Sequence, residues 1–171
     1  NQNRDVTPWL LVTFHAPFYT TFAGHDNEPE ADRMKEAMEP LFLQYRVNFV
    51  LSGHDHGFMV SWPLFNGTVV PRNPKTGSAA APIYLILGTG GNGEGHAHGF
   101  RQASPEPWVM TRDITHFGYG HLFLESSTRA HFSWVWNDDG QGRMRENKDG
   151  IWWNNQYLPA VGDPELEQRD Q

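Results

Sequence analysis

The chain contains no cysteine, which excludes disulfide bonds, thiolate zinc sites and cysteine nucleophiles together. It also lacks a cluster of lysine and arginine, and its formal net charge is −7. Proteins that bind nucleic acids or anionic membranes carry the opposite charge pattern, so neither class is expected. No apolar run is long enough to span a membrane, and the first residues, NQNRDVTPW, have no apolar signal-peptide core.

Apolar and turn-forming residues are plentiful. Hydrophobic residues make up 38% and aromatic residues 13% of the 171 residues, enough for a packed core in a single domain. Seventeen glycines and twelve prolines indicate many turns and few long helices. One sequon, Asn66-Gly67-Thr68, is a candidate for N-glycosylation in a secretory protein.

The order of the apolar segments predicts a strand–helix–strand unit. WLLVTFH (9–15) is a nearly continuous apolar run, typical of a strand that is covered on both faces. A helix is expected from Asn27, which can cap it, with a kink or a new helical turn at Pro40. VNFVLS (47–52) is a second strand, and the helix between the two strands predicts that they are parallel.

The later part of the chain predicts strands joined by loops. IYLILG (83–88) is a third strand, and YGHLFLE with RAHFSWVW predicts an antiparallel hairpin around Ser126–Thr128. GTGGNG (88–93) matches a dinucleotide-binding pattern, but the Gly, Ser and Pro residues that follow cannot open the required helix.

Three histidines follow the two parallel strands at the points where those strands end. His15 ends the first strand, and His54 and His56 follow the second within GHDH. Because the carboxyl ends of parallel strands meet at one edge of a sheet, we expect all three imidazoles at that edge. Imidazole is a common metal ligand, and the i, i+2 spacing lets His54 and His56 face different metal ions. The alternative is three unrelated surface or core histidines.

The other histidines carry weaker signals. His96 and His98 lie in a glycine-rich loop, where solvent exposure is the simpler interpretation and adventitious metal binding the alternative. His116, His121 and His131 lie in or near the predicted hairpin and are interpreted as structural.

Several longer segments occur in an order that is typical of one enzyme family. They are HAPFY, MEPLFLQYRVNFVLSGHDH, WPLFNGTV, APIYLILGTGGN and FGYGHLFLESSTRAHFSWVWNDDG. Together with VTFH and GHDH, which match the metal-binding motifs VxxH and GHxH, they resemble the purple acid phosphatases, a family of calcineurin-like metallophosphoesterases. The resemblance covers roughly residues 7–139.

The resemblance implies an α/β fold, part of a four-layer αββα sandwich with a mixed sheet and a C-terminal antiparallel hairpin. Residues 1–140 would form the C-terminal half of a catalytic domain, and residues 141–171 a C-terminal extension or tail.

The resemblance also implies roles for single residues. His15 and His54 would ligate one metal ion and His56 the other, in a dinuclear centre of Fe(III) with Zn(II), Mn(II) or Fe(II). His25, ten residues after His15, matches a histidine that faces the substrate and hydrogen-bonds the phosphate or protonates the leaving group. The other interpretation of His25 is an exposed loop histidine.

The chain departs from the family pattern in three places. Met59 and Val60 stand where the family has a charged pair, and Gly24 where some members have a second histidine. The family's first three metal-binding motifs, which supply Asp, Tyr and Asn ligands, are absent from this sequence. We therefore expect a partner, an N-terminal fragment of the same enzyme that carries those ligands; the alternative is that the sequence is one part of a longer chain.

The expected activity is hydrolysis of phosphate monoesters by a metal-dependent acid phosphatase that needs its N-terminal part. We expect it in the secretory pathway, either secreted or vacuolar or lysosomal, and a homo-oligomer is compatible with the sequence. Two alternatives remain, a phosphodiesterase or nucleotide pyrophosphatase on the same scaffold and a catalytically inactive binding or structural homologue.

Overall fold

The computed structural model describes residues 3–25, 28–73, 79–137, 144–146 and 150–157. Within these ranges the chain forms one α-helix and eleven β-strands. In chain order they are β1 (Leu11–Thr13), α1 (Pro29–Gln44), β2 (Phe49–Ser52), β3 (Phe58–Ser61), β4 (Leu64–Phe65), β5 (Thr68–Val69), β6 (Ile83–Leu87), β7 (Val109–Asp113), β8 (Gly118–Leu124), β9 (Arg129–Asn137), β10 (Met144–Glu146) and β11 (Ile151–Asn154).

The first sheet is mixed and has the strand order β1-β2-β6-β3-β7. β1, β2 and β6 are parallel neighbours, which confirms the predicted parallel pair, with Val12 opposite Val50 in the register. β3 runs antiparallel to both β6 and β7. The parallel strands therefore bring the ends of β1 and β2 to the same edge of this sheet.

β1 is shorter and more exposed than the apolar run 9–15 predicted. The strand covers three residues, and Leu11 keeps 38% of its surface accessible. Val12 points the other way and packs against the buried cluster that contains Phe42 of α1. Among the described residues β1 pairs with β2 alone and is therefore an edge strand, and the exposure of Leu11 shows that one of its faces is only partly covered where two-sided cover was expected.

α1 covers one face of the first sheet. It begins at Pro29, where the missing N–H of proline costs nothing, and Glu30 and Asp32 in its first turn favour the helix dipole. The predicted cap, Asn27, lies outside the described residues. The helix continues through Pro40 as a single element, although the sequence predicted a kink or a new turn there.

The second sheet contains the predicted hairpin. β8 and β9 are antiparallel, with Leu122 opposite Phe132. β10 and β11 also pair with β9, so residues beyond 140 contribute strands to this sheet. The boundary at residue 140 stays a prediction.

The two sheets pack against each other through aromatic side chains. Phe58 of the first sheet stacks on Trp134 of the second, with ring centroids 4.2 Å apart, and Phe49 contacts Trp153 at 5.2 Å. Burial of each such side chain contributes about 1.5–3 kcal/mol to stability. The described residues thus form a helix layer and two sheet layers, and the further helical layer of the predicted sandwich stays a prediction.

Asn48, just before β2, is fully buried and links the two sheets through hydrogen bonds. Its Oδ1 accepts from the Leu10 N–H at 2.9 Å and from Arg4 Nη1 at 3.0 Å. Its Nδ2 donates to Asn155 Oδ1 at 3.0 Å and to Gln156 Oε1 at 2.8 Å, both directly after β11. Because a buried polar group is costly when unpaired, this network stabilises the junction between the layers.

Glu39 is a buried carboxylate of α1 that fixes the turn between β4 and β5. It accepts hydrogen bonds from Tyr19 Oη at 2.5 Å and Tyr84 Oη at 3.1 Å, and from the Asn66 N–H at 3.3 Å. Burial raises the pKa of both tyrosines, and their interaction with Glu39 raises it further. The turn carrying the sequon is therefore attached to the core.

No helix among the described residues is long and apolar enough to cross a membrane.

Candidate metal centre

The ends of β1 and β2 bring His15 and His54 together. The Phe14 N–H donates to the Leu51 carbonyl at 3.2 Å and the Gly53 N–H to the His15 carbonyl at 3.0 Å, so the parallel pairing extends past both strands. As a result, His15 Nε2 and His54 Nδ1 lie 3.2 Å apart. The prediction that these two imidazoles meet at one sheet edge agrees with this geometry.

The GHDH turn is tight and strained. His54 has a φ of 66°, in the left-handed region that residues other than glycine rarely adopt. Such a conformation costs about 1–3 kcal/mol and is concentrated at functional sites. Two short backbone bonds hold it, from the Asp55 N–H to the Gly53 carbonyl and from the Gly57 N–H to the Asp55 carbonyl, both 2.8 Å.

Glu28 and His25 complete a cluster with His54. Glu28 Oε1 lies 2.9 Å from His54 Nε2 and 2.9 Å from His25 Nδ1. The ligand atoms of the three residues all lie within 4.8 Å of one another. The hydrogen bonds with His54 and His25 lower the pKa of the Glu28 carboxyl, which keeps it ionised in mildly acidic solution.

The sequence predicted a helix from Asn27, which includes Glu28, and predicted no role for Glu28 at the site. The available signal was local, because Glu28 follows His25 by three residues. The contact with His54 spans 26 residues and depends on where the loop before α1 lies against the GHDH turn.

His56 has different hydrogen-bond partners from His54. Asn92 Nδ2 lies 2.7 Å from His56 Nε2, and Glu94 Oε2 lies 3.8 Å from His56 Nδ1. Both partners belong to the loop that follows β6, within and just after GTGGNG. The metal-binding roles of His15, His54 and His56 stay predictions.

Gly88 lets β6 pass directly against the GHDH turn. Its N–H donates to the Gly57 carbonyl at 3.1 Å. A Cβ placed on Gly88 would lie 1.8 Å from the backbone oxygen of Asp55, so any side chain collides with the turn. The position of Asp55, fully buried between His54 and His56, depends on this close approach.

Gly88→Ala is therefore expected to destabilise the protein by at least about 2 kcal/mol, because backbone must move to admit the methyl group. Gly90→Ala is the matched control, since a Cβ there would meet nothing within 4 Å. Urea unfolding of both variants measures the difference, and equal midpoints would contradict the packing described for the turn.

Two cavities open on either side of His25. One of about 260 Å³ is lined by His54, Glu28, Lys35 and Arg101, among others. The other, of about 280 Å³, continues past His25 to His56 and is lined by the loop after β6.

The donor set fits a transition-metal ion. Imidazole nitrogens with a carboxylate oxygen are ligands that zinc and iron accept, and such ions take about four to six donors. Two sets of possible ligands share His54. One pairs it with His15, and the other combines it with His25 and Glu28.

Comparisons with known proteins show which family this chain resembles. Residues 81–143 match the family model described as iron/zinc purple acid phosphatase-like protein C. Purple acid phosphatase 1 of Ipomoea batatas is 36% identical over 162 residues, covering 91% of this chain and 32% of that protein. The Fe(3+)-Zn(2+) purple acid phosphatase 12 of Arabidopsis thaliana is 33% identical over 165 residues, covering 92% and 33%. The phosphoenolpyruvate phosphatase of Allium cepa is 36% identical over 159 residues, covering 91% and 31%.

A solved structure shows the same fold. The purple acid phosphatase isolated from yellow lupin (Lupinus luteus) seeds superimposes with a TM-score of 0.68 at 19% identity, covering 90% of this chain and 26% of that chain. This likeness confirms the predicted α/β fold. The chain spans about a third of the length of the curated relatives named above. The matching family model, two of the three curated relatives named above and the solved structure are all described as purple acid phosphatases, so the predicted resemblance of this chain to that family is confirmed.

Proposed function

We propose that this chain supplies the histidine side of a dinuclear metal centre that hydrolyses phosphate monoesters. The observation that carries the proposal is the convergence of His15 and His54, 3.2 Å apart, at the ends of adjacent parallel strands. His15 and His54 would hold one ion and His56 the other, and an N-terminal part of the same enzyme would add the Asp, Tyr and Asn ligands. A bound centre of Fe(III) with Zn(II), Mn(II) or Fe(II) activates water and stabilises charge on the phosphoryl group.

His25 is the proton donor in this proposal. Its Nδ1 lies 2.9 Å from the Glu28 carboxylate, which accepts a hydrogen bond from an Nδ1–H and so orients the ring. In this proposal the opposite nitrogen, Nε2, is the atom that passes a proton to the leaving oxygen of the substrate. The side chain is 39% exposed, so a substrate can approach it.

Local charge attracts the substrate to a chain whose net charge is −7. Lys35 and Arg101 line the cavity beside His25 and His54, and so do the carboxyl groups of Glu28, Asp32 and Asp55. The charge of the bound ions is therefore what would favour an anionic phosphate ester at this edge of the sheet.

Metal analysis and a hydrolysis assay on the complete purified enzyme test the proposal. We expect two metal ions per active site, one of them iron, and release of 4-nitrophenol from 4-nitrophenyl phosphate at acidic pH. Removal of the metals with a chelator should abolish this release, and the diester bis(4-nitrophenyl) phosphate serves as the comparison substrate. Absence of iron, zinc and manganese together with absence of monoester hydrolysis would contradict the proposal.

We also propose that Asn66 is N-glycosylated and that the protein enters the secretory pathway. Asn66, Gly67 and Thr68 are all exposed at the turn between β4 and β5, where φ is 48° at Asn66 and 71° at Gly67. Exposure of the Asn66 side chain leaves it accessible for attachment of a glycan. Treatment of the natively expressed protein with a peptide N-glycosidase should reduce its mass, and Asn66→Gln should remove that response; a mass unaffected by the enzyme would exclude the modification.

A further inference from the structure

Phe22 is a fully buried aromatic residue of the segment between β1 and α1, three residues before His25. It belongs to a small buried cluster with Met59 of β3, Ile86 of β6 and Val109 of β7. The ring therefore packs on three strands of the first sheet. Because protein interiors are closely packed, the size of such a ring fixes the position of the chain that carries it.

The tip of the Phe22 ring lies against Gly57, the residue that directly follows His56. A Cβ placed on Gly57 would lie 2.3 Å from Cζ of that ring, 2.4 Å from Cε1 and 2.9 Å from Cε2. The ring thus fills the space that a side chain at Gly57 would need. Gly57 is held in place, because its N–H donates to the Asp55 carbonyl at 2.8 Å and its carbonyl accepts from the Gly88 N–H at 3.1 Å.

The segment that carries Phe22 is held on its other side by the chain after residue 98. The Ala23 N–H donates to the Gly99 carbonyl at 2.9 Å, and Phe22 forms an isolated antiparallel bridge with Phe100. The rings of Phe22 and Phe100 stack with centroids 5.6 Å apart, and the Arg112 guanidinium lies 3.8 Å from the Phe100 centroid. Only 6% of the Arg112 side chain is exposed, so this stack is part of the core.

Phe22 thus connects the segment that carries His25 with the turn that carries His56. Between Phe22 and His25 the chain turns at Gly24, where φ is 112°. The hydrogen bond to Glu28 orients the His25 ring, whereas the packing of Phe22 sets where the backbone before His25 lies. A displacement of about 1 Å at a reacting group can lower a rate by about 10²-fold, so this packing matters for catalysis.

We propose that Phe22 is a positioning residue, whose ring sets the place of His25 relative to the GHDH turn. The ring is fully buried and acts through Gly57 and His25, not by contact with a substrate. The inference rests on the proposed phosphatase function and adds a residue outside the metal and substrate contacts. A shorter side chain at this position should impair proton transfer to the leaving group more than it impairs substrate binding.

The first test is Phe22→Leu in the complete, metal-loaded enzyme, with two substrates that differ in their leaving group. Phenyl phosphate releases phenol, a weaker acid than 4-nitrophenol, so its hydrolysis depends more on a proton donor. We expect kcat for phenyl phosphate to fall about 10–100-fold, with KM within about twofold and a smaller fall in kcat for 4-nitrophenyl phosphate. Phe132→Leu shortens a ring that is also buried, in the second sheet, and is the matched control. It should change kcat for either substrate by less than about twofold.

Gly57→Ala allows a second test by complementary size. The three ring atoms of Phe22 that its Cβ would meet are all absent from leucine. We therefore expect Gly57→Ala alone to lower kcat for phenyl phosphate by about tenfold, and the double variant Phe22→Leu/Gly57→Ala to be more active than Gly57→Ala. A general loss of packing would not produce this recovery.

Three results would overturn the positioning role while leaving the phosphatase function intact. They are equal falls for both substrates in Phe22→Leu, a fall matched by Phe132→Leu, and additive effects of Phe22→Leu and Gly57→Ala. If the unaltered enzyme hydrolyses neither ester, the phosphatase proposal fails, and urea unfolding of the unaltered protein, the two single variants and the double variant still tests the contact. Additive changes in the unfolding midpoint would then overturn it, and non-additive changes would support it.

Discussion

Replacing His54 with alanine is expected to remove one metal ion and to lower kcat for 4-nitrophenyl phosphate by more than about a hundredfold. Mutation of a residue that only orients a metal ligand lowers metal affinity or activity by about 10–100-fold, and loss of the ligand itself lowers them further. His54 is also the shared member of the cluster, since its ring lies 3.2 Å from His15 Nε2 and 2.9 Å from Glu28 Oε1. Its removal therefore affects both neighbours at once.

Metal content by mass spectrometry and steady-state kinetics measure the result. Because φ at His54 is 66°, alanine at this position also changes the strain of the backbone, and a substitution at another site does not control for that effect. His54→Asn is the better companion, because asparagine tolerates the left-handed region while lacking the imidazole. Full metal content and ordinary turnover in both variants would show that His54 is no ligand.

Replacing His25 with alanine is expected to lower kcat by about 10²–10⁴-fold and to leave the metal content unchanged. This range is the usual contribution of a positioned general acid or base. His25 is the residue of the cluster that borders both cavities and is 39% exposed, which suits contact with a substrate.

The alternative role for His25 is metal binding, because His25, Glu28 and His54 are close enough to hold one ion together. Loss of a metal ion in His25→Ala would assign His25 to the metal and refute its role as proton donor. Glu28→Gln distinguishes a role of Glu28 in orienting His25 from a role in metal binding. If Glu28 only orients His25, we expect a loss of about 10–100-fold in kcat with both metals retained.

The sequence predicted the elements whose signals are local. β1, β2 and β6 come from continuous apolar runs, and the hairpin of β8 and β9 from apolar segments on either side of a short polar turn. β3 was not predicted, since its four residues are all buried and follow GHDH without any alternation of apolar and polar residues. β7 was missed because it forms by pairing with β3, some 50 residues earlier, after a proline-rich segment.

In the candidate site, too, local sequence signals predicted some contacts, whereas contacts set by the path of a loop were not predicted. The meeting of His15 and His54 follows from two strand ends and the rule for parallel sheets. The position of Glu28 does not, because it depends on a loop of no regular periodicity that returns to the GHDH turn. The contact between Asn92 and His56 is likewise set by the path of the loop after β6, which the residue types alone do not determine.

The buried network of Asn48 lies just before β2, whereas His54 follows the other end of the same strand. One short strand thus separates the joint between the two sheets from the candidate metal centre. Substitutions at open positions of the loop 88–99, such as Gly90, change this edge without altering the attachment of one sheet to the other, whereas Gly88 admits no side chain. An evolving lineage can therefore vary the open part of this edge with little risk to folding, provided that Gly88, Asn48 and the partners of Asn48 stay in place.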